Sequence, residues 1–287
     1  MRPRWYLKKA ARLSVAAGSV SSGALAVRAL VSPPRVRALM YHRLADAPRD
    51  AFSVRPEIFE AQMRLLAEER RAISLEDLRL FVAGRKELPR DACLITIDDG
   101  LLSTLTEALP ILRRWGVPAV AFVSAGLVGS AHRYPEPYMG WDEVRAVVAT
   151  GLVEIGSHAY THRSLGLISA EEVRAEVTKS KEHLEDRLGT PIRSFAYPFG
   201  TRTDFSAETE RAIADAGYTI AFNSMHGAIR PGMDPISLPR VKVEGGEPLW
   251  MFRSITLGAM DSWRLADRTL FQLQRDRIEV TGHSPRE

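Results

Sequence analysis

Two adjacent carboxylates stand directly after an apolar run in this chain. The run 93–97 is followed by Asp98, Asp99 and Gly100. Such a run predicts a buried strand, and in α/β folds catalytic groups collect where strands end. The pair is also compatible with an ordinary turn capped by an aspartate. Its chemistry therefore depends on which other ligands the chain supplies.

Two histidines could complete a metal site with one of these acids. A second short apolar run, 153–157, ends in His158, and His162 follows four residues later. Imidazole is the commonest metal ligand in proteins, and three protein ligands plus a water form the usual hydrolytic zinc centre. One aspartate with both histidines would supply these ligands. The other aspartate would then be free to act as a base.

A third apolar run, 194–196, leads into Tyr197, Pro198, Phe199 and Gly200. Proline followed closely by glycine predicts a rigid turn with accessible backbone N–H groups. Together and in this order, the three segments resemble the polysaccharide deacetylases of carbohydrate esterase family 4, which share the NodB-like domain. That family carries a Thr-Phe-Asp-Asp-Gly segment, a His-(Ser/Thr)-x-x-His segment and a Pro-aromatic-Gly turn.

Three further segments match the subgroup that acts on poly-N-acetylglucosamine-type polymers, namely 39–43, 52–62 and 238–241. The resemblance covers about residues 36–245. It implies an irregular (β/α)7 barrel of the NodB type. It also implies a hydrolase that removes N-acetyl groups from an N-acetylglucosamine-type polysaccharide or oligosaccharide and releases acetate.

The resemblance assigns roles to the residues of the three segments. Asp99, His158 and His162 would bind one divalent ion, expected to be Zn²⁺ with Ni²⁺, Co²⁺ and Fe²⁺ as alternatives. Asp98 would be the general base. The backbone N–H of Phe199 would stabilise the oxyanion.

The chain departs from the family at four points. Ile97 replaces the usual Phe, which is a change in packing. Ala159 replaces the hydroxyl residue that braces the histidine loop in the family, a loss that weakens metal binding elsewhere. The arginine that usually precedes the Pro-aromatic-Gly turn is absent, and Arg240 is its candidate replacement. The late histidine that serves many members as general acid is missing as well. His42, at the end of the run 36–41, is the preferred substitute, and His226 is the second candidate.

Aromatic side chains near these segments could bind sugar rings. Tyr197 in the turn and Trp141 beside a predicted helix are the substrate-binding candidates, and Tyr134 and Tyr138 lie close to Trp141. Packing within the protein is the commoner role for such residues.

Helix and strand signals alternate along the body of the chain, which predicts a parallel sheet or barrel. The predicted strands are 36–41, 93–97, 119–123, 153–157, 194–196, 219–222 and a run around Arg240. The predicted helices are 56–69, 75–83, 104–115, 141–150, 170–188 and 206–216. Serines at 74 and 169 are expected to cap two of the helices.

Composition restricts the other classes of function. The chain has 287 residues, 45% of them hydrophobic, and a single cysteine, so an intrachain disulfide is excluded. The net charge of +4 comes from residues 1–37, which hold eight Lys or Arg and no acid. The remainder carries 31 basic and 35 acidic residues, so the folded body gives no argument for nucleic-acid binding.

The uncharged stretch 13–27 is shorter than the roughly 20 residues that cross a membrane. With the basic residues before it and the small residues 24–26, it resembles a signal peptide. An amphipathic or a merely disordered leader is an equal alternative, and an amphipathic one would associate with a membrane through residues 1–30. The expected organisation is a basic leader and linker at 1–34, a catalytic domain at 35–248, and a C-terminal helical extension of unassigned role at 249–287.

We expect the cell envelope or a membrane surface as the location, with the cytoplasm as an alternative. The expected partner is an acetylated amino-sugar polymer, and the sequence does not predict an oligomeric state. Other functions stay open at this stage. One is an O-acetyl or N-formyl sugar deacylase on the same fold, and another is a catalytically impaired carbohydrate-binding protein. A nucleic-acid or membrane-binding module driven by residues 1–37 is the third.

Overall fold

The computed structural model describes residues 3–23, 33–46, 52–130 and 136–264. Within them, the strands in chain order are β1 (Val36–Tyr41), β2 (Arg43–Leu44), β3 (Ser53–Val54), β4 (Ala92–Ile97), β5 (Ala119–Val123), β6 (Val153–Ser157), β7 (Ser194–Ala196), β8 (Ile220–His226) and β9 (Leu238–Lys242). Strands β2 and β3 pair only with each other. The other seven form a closed parallel barrel, and β9 pairs with β1 to complete it. The predicted (β/α)7 barrel is thus confirmed.

Helices alternate with the barrel strands and cover the barrel. In chain order they are α1 (Pro3–Ser21), α2 (Pro56–Glu68), α3 (Leu75–Val82), α4 (Leu109–Trp115), α5 (Trp141–Val148), α6 (Ala170–Leu188), α7 (Ala207–Asp215) and α8 (Leu249–Thr256). The predicted caps are present: Ser74 accepts a hydrogen bond from the backbone of Asp77, and Ser169 accepts one from Glu172.

Side chains of each strand alternate between the barrel interior and the surrounding helices. In β4, Leu94 belongs to the inner apolar cluster, whereas Ile97 belongs to the cluster packed against the helices. Thr96 and Asp98 continue the Leu94 side of the strand, and both accept hydrogen bonds from Arg240 on β9. Because side chains alternate with a period of two, Asp98 points into the barrel as Leu94 does.

Helix α3 closes the end of the barrel at which the strands begin. Its Leu78 and Phe81 belong to the inner apolar cluster, together with Val36 at the start of β1 and Ala92 at the start of β4. The opposite end, where the strands finish, is left for loops. Because all seven barrel strands are parallel, the polar groups that follow each strand meet at the end with the loops, on one rim.

Two expectations need correction. The segment 104–115 is not one α-helix, because a π-helical turn, Thr104–Ala108, precedes α4. Strand β8 extends beyond 219–222 to His226, and its register against β9 shifts between Phe222 and His226. Such a bulge bends a strand and redirects its groups, and here the displaced carbonyl of Asn223 accepts a hydrogen bond from Arg240 Nε at 3.0 Å.

Helix α1 packs against the C-terminal part of the chain. Ala16 is fully buried, and Arg12 Nη2 lies 2.6 Å from Glu247 Oε1 with both side chains buried. The hydroxyl of Ser19 donates to the carbonyl of Ala259 at 2.8 Å. The basic segment and the C-terminal extension therefore pack together, which sequence reasoning did not anticipate.

The leader prediction is tested only in part by these contacts. The cleavage-like residues 24–26 lie outside the described residues, and so does most of the predicted C-terminal helical stretch, from residue 265 onward. Across the part of the chain that the structure describes, none of the helices combines the length and apolarity that a membrane crossing requires.

Candidate active site

The rim at the carboxyl ends of the strands brings together most of the predicted site residues. They come from the ends of five barrel strands: His42 after β1, Asp98 and Asp99 after β4, His158 after β6, Phe199 after β7 and Arg240 on β9. His162 joins them from the loop that begins at His158. Residues far apart in the sequence therefore meet because parallel strands end at the same rim.

Asp99, His158 and His162 form a compact group of ligand atoms. The Nε2 atoms of His158 and His162 lie 3.5 and 3.3 Å from Asp99 Oδ1. One ligand atom from each of the three residues falls within 4.8 Å of the others. This donor set of two imidazoles and one carboxylate fits a Zn²⁺-like ion with an open position for water.

The orientation of His158 supports this use. Its Nδ1 lies 2.7 Å from the carbonyl oxygen of Ala196 on β7, which requires the proton to be on Nδ1. Nε2, which faces Asp99, is then the ring atom available to a metal ion. A backbone carbonyl that fixes the imidazole in this way is the usual outer partner of a metal-binding histidine.

The charges of the group favour an ionised Asp99. Burial alone would raise the pKa of this carboxyl, but hydrogen bonds with His158 and His162 hold it well below its usual range. The carboxylate is therefore ready to act as an anionic ligand without a change of protonation.

Asp98 makes a different set of contacts from its neighbour. Arg240 Nη1 donates to Asp98 Oδ1 at 2.7 Å, and Nη2 donates to Oδ2 at 2.8 Å. Both side chains are at most 2% exposed, so the pair is desolvated. Burial would raise the pKa of Asp98, but Arg240 first and then His158 and His42 keep it below its usual value. The carboxylate is thus held ionised in a fixed orientation, as a general base requires.

His42 lies close to Asp98 and acts electrostatically on both aspartates. Its Nε2 is 4.0 Å from Asp98 Oδ2, and its ring packs edge-on against Phe52 at 5.0 Å between centroids. Burial lowers the pKa of His42, although the charges of Asp99 and Asp98 oppose this, and Lys242 adds to the lowering. The imidazole is therefore neutral at neutral pH, and its protonated form is a stronger acid than free histidine.

His226, the second candidate for the acid, lies elsewhere. It is buried, and burial lowers its pKa to about 4. The charged groups that act on it are Asp261, Arg12 and Arg37, none of which belongs to the rim site. Of the two histidines, only His42 interacts with the acid pair.

The Pro-Phe-Gly turn lies beside the second histidine. The ring of Phe199 is half exposed and meets the ring of His162 at 4.9 Å between centroids. Ser224 on the bulged part of β8 holds the turn, since its N–H donates to the carbonyl of Gly200 at 2.9 Å and its hydroxyl donates to the carbonyl of Phe199. A Cβ at Gly200 would lie 2.7 Å from the nitrogen of Ser224, so glycine is required there.

Left-handed backbone is concentrated at this rim. Of the six non-glycine residues with positive φ in the described part of the chain, four belong to the site. They are Asp99 (75°), Ala159 (60°), His162 (59°) and Phe199 (60°). A conformation that costs about 1–2 kcal/mol at each such residue persists only where surrounding contacts hold it, and it typically marks functional sites.

The histidine loop 158–162 is braced from helix α6, by a residue that sequence reasoning missed. Glu176 is buried and accepts hydrogen bonds from the backbone N–H groups of Tyr160 (2.9 Å) and Thr161 (2.8 Å). A signal was present in the sequence, since Glu176 precedes Val177 on the apolar face of the predicted helix. A carboxylate on such a face needs buried partners.

The two proposed sugar-binding side chains differ in their exposure. Tyr197 is fully buried, donates its hydroxyl to the carbonyl of Ile236 at 2.8 Å and stacks on Phe205. Trp141 is half buried against His183 of α6. The expectation for Tyr197 is corrected, because packing in the core occupies its ring. The sugar-binding role of Trp141 stays a prediction. Tyr134, named beside Trp141, lies outside the described residues.

Comparison with known proteins agrees with the fold and the motifs. The sequence profile of the polysaccharide deacetylase family matches residues 85–221. The poly-β-1,6-N-acetyl-D-glucosamine N-deacetylase of Staphylococcus aureus (strain MRSA252) is 24% identical over 201 residues, which cover 67% of this chain and 68% of that protein.

Two solved structures share the barrel. The structure of IcaB from Ammonifex degensii superposes with a TM-score of 0.68 at 25% identity and covers 78% of this chain and 97% of its own. The Streptococcus pyogenes deacetylase PplD, solved in complex with acetate, gives a TM-score of 0.65 at 22% identity over 74% of this chain and 94% of its own, which supports the fold alone. The seven-stranded barrel and the three motif segments on one rim therefore agree with the similarity of residues 85–221 to the polysaccharide deacetylase family.

Proposed function

We propose that this chain removes N-acetyl groups from an N-acetylglucosamine-type polysaccharide or oligosaccharide by metal-assisted amide hydrolysis. The proposal rests on the observation that the two adjacent aspartates contact different groups. Asp99 contacts both imidazoles, whereas Asp98 contacts Arg240. Adjacent carboxylates with such different partners suit a ligand and a base.

Asp99, His158 and His162 would hold one divalent ion, with Zn²⁺ the ion that best fits the donor set. When bound, such an ion acidifies a water molecule and polarises the acyl carbonyl. Asp98 would accept the proton of the attacking water, because its carboxylate is ionised and fixed by Arg240. The attack forms a bond from the water oxygen to the acetamide carbon and shifts the carbonyl electron pair to its oxygen.

The remaining steps fall to Phe199 and His42. The backbone N–H of Phe199 would donate to the oxyanion, in a turn held by Ser224. His42 Nε2, 4.0 Å from Asp98 Oδ2, would take up the proton that Asp98 received from the water and deliver it to the leaving amine nitrogen as the carbon–nitrogen bond breaks. The products would be acetate and a free glucosamine-type amine. His42 suits the acid role because a lowered pKa strengthens its conjugate acid.

The substrate class is supported by the relatives rather than by a pocket shape. The relative from Staphylococcus aureus is named for poly-β-1,6-N-acetyl-D-glucosamine. We propose a polymer of the same chemical type as the substrate here and, because such polymers lie outside the cytoplasm, a site of action in the cell envelope. An O-acetyl or N-formyl sugar remains the alternative acyl substrate on the same machinery.

The test is acetate release from β-1,6-linked and β-1,4-linked N-acetylglucosamine oligomers, with Zn²⁺ added to the purified full chain. Asp98→Asn should abolish turnover while metal content stays near that of the wild type. Asp99→Asn should lose the metal. If Asp98→Asn loses the metal instead, the two roles are reversed. If the metal-loaded wild type releases acetate from neither oligomer, the proposed substrate class is wrong.

A further inference from the structure

The loop that carries both histidines is held in an unfavourable backbone conformation. Ala159 and His162 have φ values of 60° and 59°. Neither residue is glycine, so each position costs about 1–2 kcal/mol that other contacts must offset. Ala159 has no hydroxyl with which to brace the loop from within. The bracing must therefore come from outside the loop.

Helix α6 supplies it through two side chains four residues apart, on the same face of the helix. Glu176 Oε2 accepts the backbone N–H groups of Tyr160 at 2.9 Å and Thr161 at 2.8 Å, and Oε1 accepts the hydroxyl of Thr161. Ser180 donates its hydroxyl to the carbonyl of Ala159 at 3.0 Å. Three consecutive residues between the two histidines are thus tied to one helix.

Both carboxylate oxygens of Glu176 accept hydrogen bonds from the histidine loop 158–162. The side chain is only 8% exposed, on the face that also carries Val173 and Val177. An apolar residue would pack on this face at lower desolvation cost. Hydrogen bonds to an ionised carboxylate are about twice as strong as neutral ones, so removal of the carboxylate frees the loop while the apolar packing of α6 is kept.

We propose that Glu176 is a positioning residue that sets the affinity of the Asp99–His158–His162 site for its metal. It acts by fixing the loop between the two imidazoles, so that His162 Nε2 meets the Oδ1 atom of Asp99. This role rests on the metal site of the proposed function. It extends that function by a residue that contacts neither the metal ligands nor the substrate.

The experiment measures the Zn²⁺ dissociation constant of the purified full chain by competition with a chromophoric chelator. Four variants are compared with the wild type: Glu176→Ala, Glu176→Gln, Thr161→Val and Glu182→Gln. Glu182 is an exposed glutamate on the same helix, so its variant is the matched control. The melting temperature of each metal-free protein is recorded in parallel.

Glu176→Ala should weaken Zn²⁺ binding by about 10- to 100-fold, the usual effect of removing a group that orients metal ligands. Glu176→Gln can still accept both backbone N–H groups at its carbonyl oxygen, and it should recover most of the affinity. Glu182→Gln should bind as the wild type does. A purely structural role would lower the melting temperature of the metal-free protein and leave the dissociation constant unchanged, which would overturn the proposal.

Thr161→Val serves as the second variant should Glu176→Ala fold poorly. It removes only the hydroxyl hydrogen bond to Glu176 and should weaken Zn²⁺ binding severalfold relative to Glu182→Gln. Equal affinities in these two variants would also overturn the role of Glu176. A wild-type chain that binds no Zn²⁺ gives a separate outcome, because it removes the metal site itself and with it the proposed function.

Discussion

Arg240 and Asp98 meet inside the barrel mouth through two parallel hydrogen bonds of 2.7 and 2.8 Å. The arginine lies on the last barrel strand and the aspartate at the end of the second. A planar guanidinium holds both carboxylate oxygens at once, which fixes the orientation as well as the charge of the carboxylate. Lysine could supply the charge but not the geometry.

Arg240→Lys should therefore lower kcat/KM by at least about 100-fold, the lower range for loss of a well-placed general base. Because Arg240 is the main group that depresses the pKa of Asp98, the acid limb of the pH–rate profile should move to higher pH. The profile of kcat/KM between pH 4 and 9 measures both effects. Arg253→Lys, in an exposed ion pair with Glu69, is the control and should leave the profile in place.

His42→Gln should slow amide hydrolysis by about 10²–10⁴-fold, the range for loss of a general acid or base. Hydrolysis of an aryl acetate should fall much less, because its leaving group departs without a proton. The ratio of the two activities in the variant against the wild type is the measurement. His226→Asn should leave this ratio unchanged. If amide hydrolysis instead fell relative to aryl acetate hydrolysis in that variant, His226 would be the general acid.

His226 should make the fold sensitive to acid. Its pKa is about 4 in the folded chain, because of burial, against about 6.5 when unfolded. Between these values the unfolded chain binds a proton that the folded chain does not, so stability is present above pH 6.5 and is lost as the pH falls towards 4. The loss amounts to about 3 kcal/mol at most.

Urea unfolding of the wild type and of His226→Asn at pH 7, 5.5 and 4.5 checks this expectation. The variant should lose less stability over that range than the wild type. His183→Gln removes a half-buried imidazole from α6 and serves as the control. Parallel pH curves for the wild type and His226→Asn would contradict the prediction.

Arg12→Ala should destabilise the chain by about 3–5 kcal/mol, since it leaves buried carboxylates without their partner. Arg12 Nη2 lies 2.6 Å from Glu247, and Arg12 Nη1 lies 3.7 Å from Glu244, all three side chains being buried. The double variant Arg12→Met with Glu247→Met should recover much of the loss, because an apolar pair replaces the ion pair.

Chemical denaturation of the full chain gives these free energies of unfolding. Arg145→Ala, which breaks an exposed ion pair with Asp142 on α5, should change stability by less than about 1 kcal/mol and is the control. If Arg12→Ala costs no more than this control, α1 does not pack on the barrel in solution and the leader prediction gains weight.

The sequence predicted the elements that local rules determine. Alternation of strand and helix and the serine caps at 74 and 169 each depend on residues a few positions apart, and all are present. The barrel type came from the resemblance to a family, because periodicity cannot choose between a barrel and an open sheet. The contact between Arg240 and Asp98 followed from placing both on strands that end at one rim.

Other parts of the site depend on packing between distant elements and left only weak local signals. Glu176 on helix α6 accepts a hydrogen bond from the backbone N–H of Thr161, which lies in the loop after β6. The π-helical turn before α4 left no signal in the sequence that was read. Tyr197 occupies a motif position beside the turn, yet its ring points into the core. Motif spacing alone does not show which way a side chain faces.

Closure of the barrel has a consequence for how the chain folds. Strand β9 pairs with β1, with Arg240 opposite Ala38, and this pairing also brings the guanidinium to Asp98. Until the last strand is in place, a collapsed intermediate would enclose the Asp98 carboxylate without its cation, at a cost of several kcal/mol. Half-formed barrels are therefore disfavoured by the unpaired carboxylate, and pairing of the last strand and formation of the Asp98–Arg240 ion pair become a single cooperative event.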